Sequence, residues 1–319
     1  QVIYVTEHAG DERDAGEPPS DRSGPQQLLY PEYGPVQAAI GFGVVFVAVP
    51  AEEDSGLGTL AAIRRGWWAD AAIIPEPTVR EGAPELIVAH AGAMSCTMTI
   101  TGRAAHASRR REGESALDHY LAVHEALRAA EGALNETETH PLMRSLGLPY
   151  ATNVGVIGGG NWSSSVMDRL EVELRVGVAL GETPAEARTR FERTLTERLA
   201  DHPWLGAHPP TVRWRASGFG AGQTPRDHPL VDCVADAAEV VLGTPPTIAA
   251  APYGCDMSAW VRLARTPTVL YGPGDLAQAH AADEWASFRL TEQVTAVLVR
   301  AASALLENDT EALRARRDG

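Results

Sequence analysis

Two adjacent acids, Glu52 and Glu53, follow an apolar run; Glu76 lies between two prolines after a second run; His280 lies nine residues beyond Tyr271, where a third run ends. Carboxylates with an imidazole form a zinc-type donor set. A pair of acids also allows a division of labour, in which one carboxylate holds a cation and its neighbour takes a proton from water. Each residue alone has a plainer reading. An acid pair after a strand favours a helix N-terminus, Glu76 suits a turn, and His280 suits a loop. Their joint placement at three strand ends points to one centre, because open α/β sheets gather their sites at the carboxyl ends of strands.

The elements that must position these residues can be read around them. Residues 44–50, "VVFVAVP", are a β-branched run that reads as a strand buried on both faces. "LGTLAAIRRG" reads as a helix closed by Gly66, and "ADAAIIPEPT" (residues 69–78) as a second strand stopped by prolines. "TPTVLYGPGD" (residues 266–275) is a third strand leading into a Gly/Pro loop. This β-α-β order predicts an α/β domain built on a mostly parallel sheet. "LVDCVADAAEVVLG" reads as a helix ended by Gly243, and the segment from "DEW" onward as a long helix capped by Asp283.

Between residues 92 and 218 the pattern changes. "MSCTMTITGRAAH" alternates polar and apolar residues, as in a strand with one wet face. An amphipathic helix, two strands, a helix with a capping box at Thr183 and Glu186, and a further strand follow. The order β-α-β-β-α-β is that of a ferredoxin-like α+β domain. The expected division is an atypical loop or disordered arm over 1–43, a first catalytic part over 44–91, an inserted domain over 92–218 and a second catalytic part over 219–319.

The chain has 319 residues, 27 basic against 42 acidic, and a formal charge of −15. That balance argues against nucleic acid as a partner, since a phosphate backbone calls for a basic face. Every basic residue is Arg. With 44% hydrophobic residues the chain has the composition of a folded domain rather than a disordered one. Cys96, Cys233 and Cys255 are too widely spaced for a disulfide framework or a Cys-x-x-Cys zinc site. A reducing cytoplasm is the expected compartment. No apolar run reaches the roughly 18 residues of a membrane helix, so no membrane partner is expected.

"AEEDSGLGTLAAIRRG", "ADAAIIPEPT", "GRAAHAS", "GPGDLAQAH" and "DEW", in this order, resemble the dinuclear zinc amidohydrolase and metallopeptidase family. That family includes acetylornithine deacetylase, succinyl-diaminopimelate desuccinylase and the glutamate carboxypeptidases. The resemblance runs from about residue 44 to 306. It implies a three-layer, zinc-exopeptidase-like catalytic domain with two zinc ions per subunit, cobalt or manganese being alternatives. It also implies an inserted lid and dimerisation domain, and a homodimer formed through it. The implied activity is cleavage of the amide bond of an N-acyl amino acid or small peptide. By the same resemblance Glu52 matches the general base, Glu53 and His280 the ligands of one zinc, and Glu76 a ligand of the other. His106 in "GRAAHAS" matches the lid histidine that reaches the partner subunit's site and steadies the oxyanion. Arg175 in "VELRVGV" matches the arginine that grips a substrate carboxylate. Asn153 matches a position near the substrate, and Gly254 and Cys255 in "YGCDM" match a loop lining the amide-binding cleft.

The family also uses a His-x-Asp motif and a bridging Asp from earlier strands, and neither is intact here. His8 is followed by Asp11, at the wrong spacing, and Asp21 in "SDRSG" only echoes the bridging residue. Ser258 stands where the family often has Arg. These departures support a second expectation, a non-catalytic relative acting as a dimeric binding or regulatory protein. A serine hydrolase lacks support, since there is no Gly-x-Ser-x-Gly elbow.

Overall fold

The apolar runs beside the acids become strands of one nine-stranded sheet. The computed structural model describes residues 2–5, 26–30, 34–41, 43–53, 56–67 and 69–307, with side-chain surroundings from residue 43 onward. The sheet runs in the order Gly222–Gln223, Leu86–His90, Thr268–Leu270, Ala71–Ile74, Val2–Val5, Val44–Ala48, Gly34–Gly41, Gln26–Tyr30, and Ile248–Ala251 pairs with Leu86–His90. It is mixed, not mostly parallel. Thr268–Leu270 runs parallel to Ala71–Ile74 and Ile248–Ala251 parallel to Leu86–His90, while the other described pairs are antiparallel. The physical reason is connection length. Gly34–Gly41 passes into Val44–Ala48 through residues 42 and 43, with Gly43 at φ 80°. So short a link closes a hairpin and cannot make the crossover that parallel strands need.

Two further expectations change with this. Three strands, Val2–Val5, Gln26–Tyr30 and Gly34–Gly41, lie inside the segment that composition reads as a loop or arm. Val44–Ala48 is not buried on both faces: Val45 and Val47 are buried, whereas Phe46 is 38% exposed. That alternation belongs to an antiparallel strand with one open face. Ala71–Ile74, Leu86–His90 and Thr268–Leu270 are fully buried strands.

Helix Phe288–Glu307 buries Val294, Val297, Leu298, Ala301, Ala302 and Leu305. Their three- and four-residue spacing places them on one stripe. It packs against helix Pro229–Leu242, which Gly243 closes in the left-handed conformation at φ 83°. The Cys233 thiol reaches Ala301 O at 3.5 Å across this contact. The long helix begins after Ser287, not Asp283: Ser287 Oγ accepts from Leu290 N at 3.3 Å, and Thr291 N donates to Ser287 O at 2.9 Å. Serine caps as well as aspartate does, and it stands directly before the first turn.

Contacts divide the chain into two units, and residues 91–221 with 252–254 form the second. Its elements follow the order β-α-β-β-α-β. Strands Thr152–Gly159, Arg169–Val178, Gly92–Thr101 and Thr211–Phe219 make an antiparallel sheet in that spatial order. Helices Ala116–Glu136 and Pro184–Leu199 bury Val123, Leu127, Phe191 and Leu195 in one core with Met98, Ile100, Leu170, Val172 and Leu174 of the sheet. Thr183 and Glu186 form a reciprocal capping box, Glu186 N to Thr183 Oγ1 at 3.1 Å and Thr183 N to Glu186 Oε2 at 2.7 Å. Strand Thr152–Gly159 is an edge, with Val156 and Ile157 exposed. Among the described residues no helix is long and apolar enough to cross a membrane.

Candidate active site

Glu52 and Glu53 lie in the turn that leaves strand Val44–Ala48. Ala51 holds φ 61° there and accepts a hydrogen bond from Gly56 N at 2.9 Å. A positive φ at a residue with a side chain is uncommon, and such strain gathers at functional loops. Glu52 is half-buried. Its carboxyl is pushed up to about 8, first by burial and then by the charges of Glu76, Asp256 and Glu53. Glu53 is exposed and meets His280, with Oε2 and Nε2 3.6 Å apart. His280 is a second non-glycine residue with positive φ, at 63°.

Glu76 follows the buried strand Ala71–Ile74. The loop that carries it is stitched to the end of strand Thr268–Leu270. Tyr271 N donates to Ile74 O at 3.0 Å, Gly272 N to Thr78 Oγ1 at 3.1 Å, and Val79 N to Gly274 O at 2.8 Å. A Cβ at residue 272 would lie 2.1 Å from Glu76 O, so the approach requires glycine. Burial raises the Glu76 carboxyl, and the charges of Asp256 and Glu53 add to it. Cys255 is buried, and its thiol is pushed well above its ordinary value by burial, with Glu76 the next cause.

Sequence reasoning quoted Asp256 within "YGCDM" but gave it no role. It is 2% exposed. Thr59 Oγ1 donates to its Oδ2 at 2.6 Å, and its Oδ1 has no partner among the described residues. The available signal was an acid set between Cys255 and Met257, where a surface carboxylate is out of place.

The second unit carries the remaining candidates. His106 is exposed and caps the short turn Ala107–Glu112, its Nδ1 accepting from Ser108 N at 3.2 Å. An accepting Nδ1 leaves the ring proton on Nε2, which is then free to donate. Arg175 and Asn153 are register partners in neighbouring strands. Arg175 Nη2 lies 3.5 Å from Pro252 O, and burial lowers its guanidinium pKa. Gly254 packs on Phe219: a Cβ there would lie 2.7 Å from Phe219 Cβ.

The structure thus brings Glu52, Glu53, Glu76 and His280 into one unit with Asp256. His106, Asn153, Arg175 and Gly254 lie in the other. The acidic cluster has the donor types of a cation site, and the buried Asp256 Oδ1 has no hydrogen-bond partner among the described residues. It is short of ligands, however. Among the described residues no three His, Cys, Asp or Glu side chains are placed to hold a metal ion, and a catalytic zinc takes about three protein ligands. His8, Asp11 and Asp21 lie outside the described residues.

A family model described as Peptidase family M20/M25/M40 matches residues 38–304. Acetylornithine deacetylase of Pectobacterium atrosepticum is 29% identical over 228 residues, covering 68% of this chain and 52% of that protein. N-acetyl-L-citrulline deacetylase of Xanthomonas campestris is 29% identical over 244 residues, covering 75% and 61%. The chain spans about half the length of the curated relatives it matches. Among solved structures, a tripeptidase from Staphylococcus aureus aligns with TM-score 0.62 at 17% identity, over 83% of this chain and 65% of that one. An M20 family metallo-carboxypeptidase from Sulfolobus solfataricus aligns with TM-score 0.64 at 12% identity, over 83% and 70%. At these identities the structural likeness speaks for a shared mixed α/β fold.

Proposed function

The chain belongs to the peptidase family M20/M25/M40, and from that premise we propose that it is the hydrolytic part of an amidohydrolase acting on an N-acyl amino acid or a small peptide. The observation that carries the reading is the 3.6 Å approach of Glu53 to His280, in the unit where Glu52 and Glu76 share one electrostatic cluster. Glu52 takes the proton of the attacking water and passes it to the leaving amine. His106, reaching the site of a partner subunit, donates from Nε2 to the oxygen that becomes negative as the carbonyl is attacked. Arg175 grips the carboxylate of the amino acid with Asn153 beside it, and the loop of Gly254 and Cys255 lines the amide-binding cleft.

The family implies a divalent cation, which we assign as zinc, with Glu53 and His280 on one ion and Glu76 on a second. Bound there, it would polarise the carbonyl and acidify water. The described residues do not complete either ion's ligand set, so no step is routed through it. The second unit is proposed as an inserted lid that also makes a homodimer. Its exposed edge strand supports this, since an open edge pairs readily with a second copy. Three free cysteines support a reducing, cytoplasmic setting.

The test is amine release from a panel of N-acetyl and N-formyl amino acids and dipeptides, with protein loaded with Zn2+ and with the same protein after chelation. Release that chelation abolishes supports the reading. The short ligand set favours a second reading, a non-catalytic dimeric binding protein. No release from any member of the panel, together with saturable binding of one of them, would establish it.

A further inference from the structure

Asp256 has a carboxylate in which one oxygen is held and the other is not. Thr59 Oγ1 and Asp256 Oδ2 are 2.6 Å apart, although 197 positions separate the residues. Both side chains are buried, Thr59 at 0% and Asp256 at 2% exposure. Thr59 stands in the first turn of helix Leu57–Arg64, directly after the turn that carries Glu52 and Glu53. At 2.6 Å it lies at the short end of the O–H···O range, and both groups are shielded from water. It ties the start of that helix, and so the acid-bearing turn, to the segment beginning at Cys255.

The other oxygen is the unusual one. Oδ1 is buried with no partner among the described residues. Desolvating an unpaired carboxylate oxygen is costly. Here the cost is compounded by neighbours of the same sign, because the charge of Asp256 is among the causes that raise both Glu52 and Glu76. Serving folding alone, this position needs only an acceptor for Thr59, which a neutral asparagine supplies through its carbonyl. A buried carboxyl, its pKa raised by desolvation, is a stability liability of the kind that proteins retain at working sites.

We propose that Asp256 is a positioning residue of the hydrolytic site, a buried carboxyl group that fixes the Glu52–Glu53 turn through Thr59 and is retained for turnover at the expense of stability. The proposal rests on the hydrolase reading for its link to turnover and on the geometry alone for the tether.

The experiment compares Asp256→Asn, Thr59→Val and Thr59→Ser by thermal melting, by amide hydrogen exchange over residues 51–56, and by kcat and KM on the best substrate of the panel. Asp256→Asn should melt about 2–4 °C higher, with kcat down about 10-fold or more and KM unchanged. Thr59→Val, which removes only the hydroxyl, should speed exchange over residues 51–56 and lower kcat. Thr59→Ser should restore both. A lower melting point in Asp256→Asn, an unchanged kcat in that variant, or exchange in Thr59→Val equal to wild type would overturn the proposal. A wild-type protein that hydrolyses nothing overturns the hydrolase reading instead, and the exchange and melting results then decide the tether by themselves.

Discussion

Asn153 and Arg175 stand directly opposite each other in the antiparallel register of strands Thr152–Gly159 and Arg169–Val178. Directly opposed residues project to the same face of a sheet, with Cβ atoms about 5 Å apart. An amide and a guanidinium so paired present several donors to one planar acceptor. Replacing Arg175 with Met should raise KM for a carboxylate-bearing substrate about 10- to 100-fold, the equivalent of about 1.5–3 kcal/mol for a hydrogen bond to a charged group. Lysine should not restore it, because the forked geometry is lost. Steady-state kinetics on substrate and on its methyl ester measure the effect. An equal loss on both would show that Arg175 does not read the carboxylate.

Glu53 and His280 are both 78% exposed at the side chain. A contact so solvated contributes no more than about 1 kcal/mol to folding. Glu53→Ala and His280→Ala should therefore leave the melting temperature of metal-free protein nearly unchanged. Each should lower metal uptake, read by dialysis against Zn2+ with elemental analysis. A large loss of stability with normal uptake would make the pair structural.

Glu52→Gln should retain whatever metal the wild type holds and lower kcat by about 100- to 10,000-fold, the usual contribution of a positioned base. Normal turnover in this variant would remove Glu52 from the role of proton acceptor.

Gly272→Ala forces a methyl group to within 2.1 Å of the Glu76 carbonyl oxygen. A clash with backbone cannot be relieved by a rotamer change. The cost should be about 1–3 kcal/mol, visible in denaturant melts, and the displaced Glu76 should weaken metal uptake as well. Wild-type stability in this variant would mean that the two loops can separate without penalty.

In the second unit, burial pushes the His119 imidazole below its ordinary value, against the pull of Glu114 at 3.3 Å and with His202 adding to the depression. The folded protein then binds fewer protons than the unfolded chain, whose imidazole titrates near 6.5. Stability from this group is present above that value and is lost as pH falls below it toward the lower folded-state value. His119→Phe, which keeps a ring stacked on Trp204, should flatten that part of the melting-temperature profile. An equally steep profile in the variant would assign the dependence elsewhere.

The acids were legible in the sequence because proline and apolar runs punctuate the strand ends that carry them, as at Pro50, Pro75 and Pro77. The capping box at Thr183 and Glu186 was legible for a similar reason, since it is a local motif whose partners lie three residues apart. Strand direction was not. A β-branched run reads the same in a parallel or an antiparallel sheet, and only the short link before Val44 separates the two. Asp256 was hidden differently: its hydrogen-bond donor among the described residues, Thr59, is far away in sequence, so no local pattern marks it. The start of the last helix was misplaced because Asp283 and Ser287 are both good caps, and the choice between them depends on the backbone path.

The tripeptide Pro252–Gly254 belongs with the second unit, while its flanking residues Ala251 and Cys255 belong with the first. The second unit is therefore not a simple cassette. A chimera that exchanges residues 91–221 for a homologue's would strand a tripeptide fitted to the old sheet, with Gly254 against a foreign residue in place of Phe219. Recombination between relatives at the two obvious junctions should carry a hidden incompatibility, and transplanting residues 252–254 along with the insert should cure it.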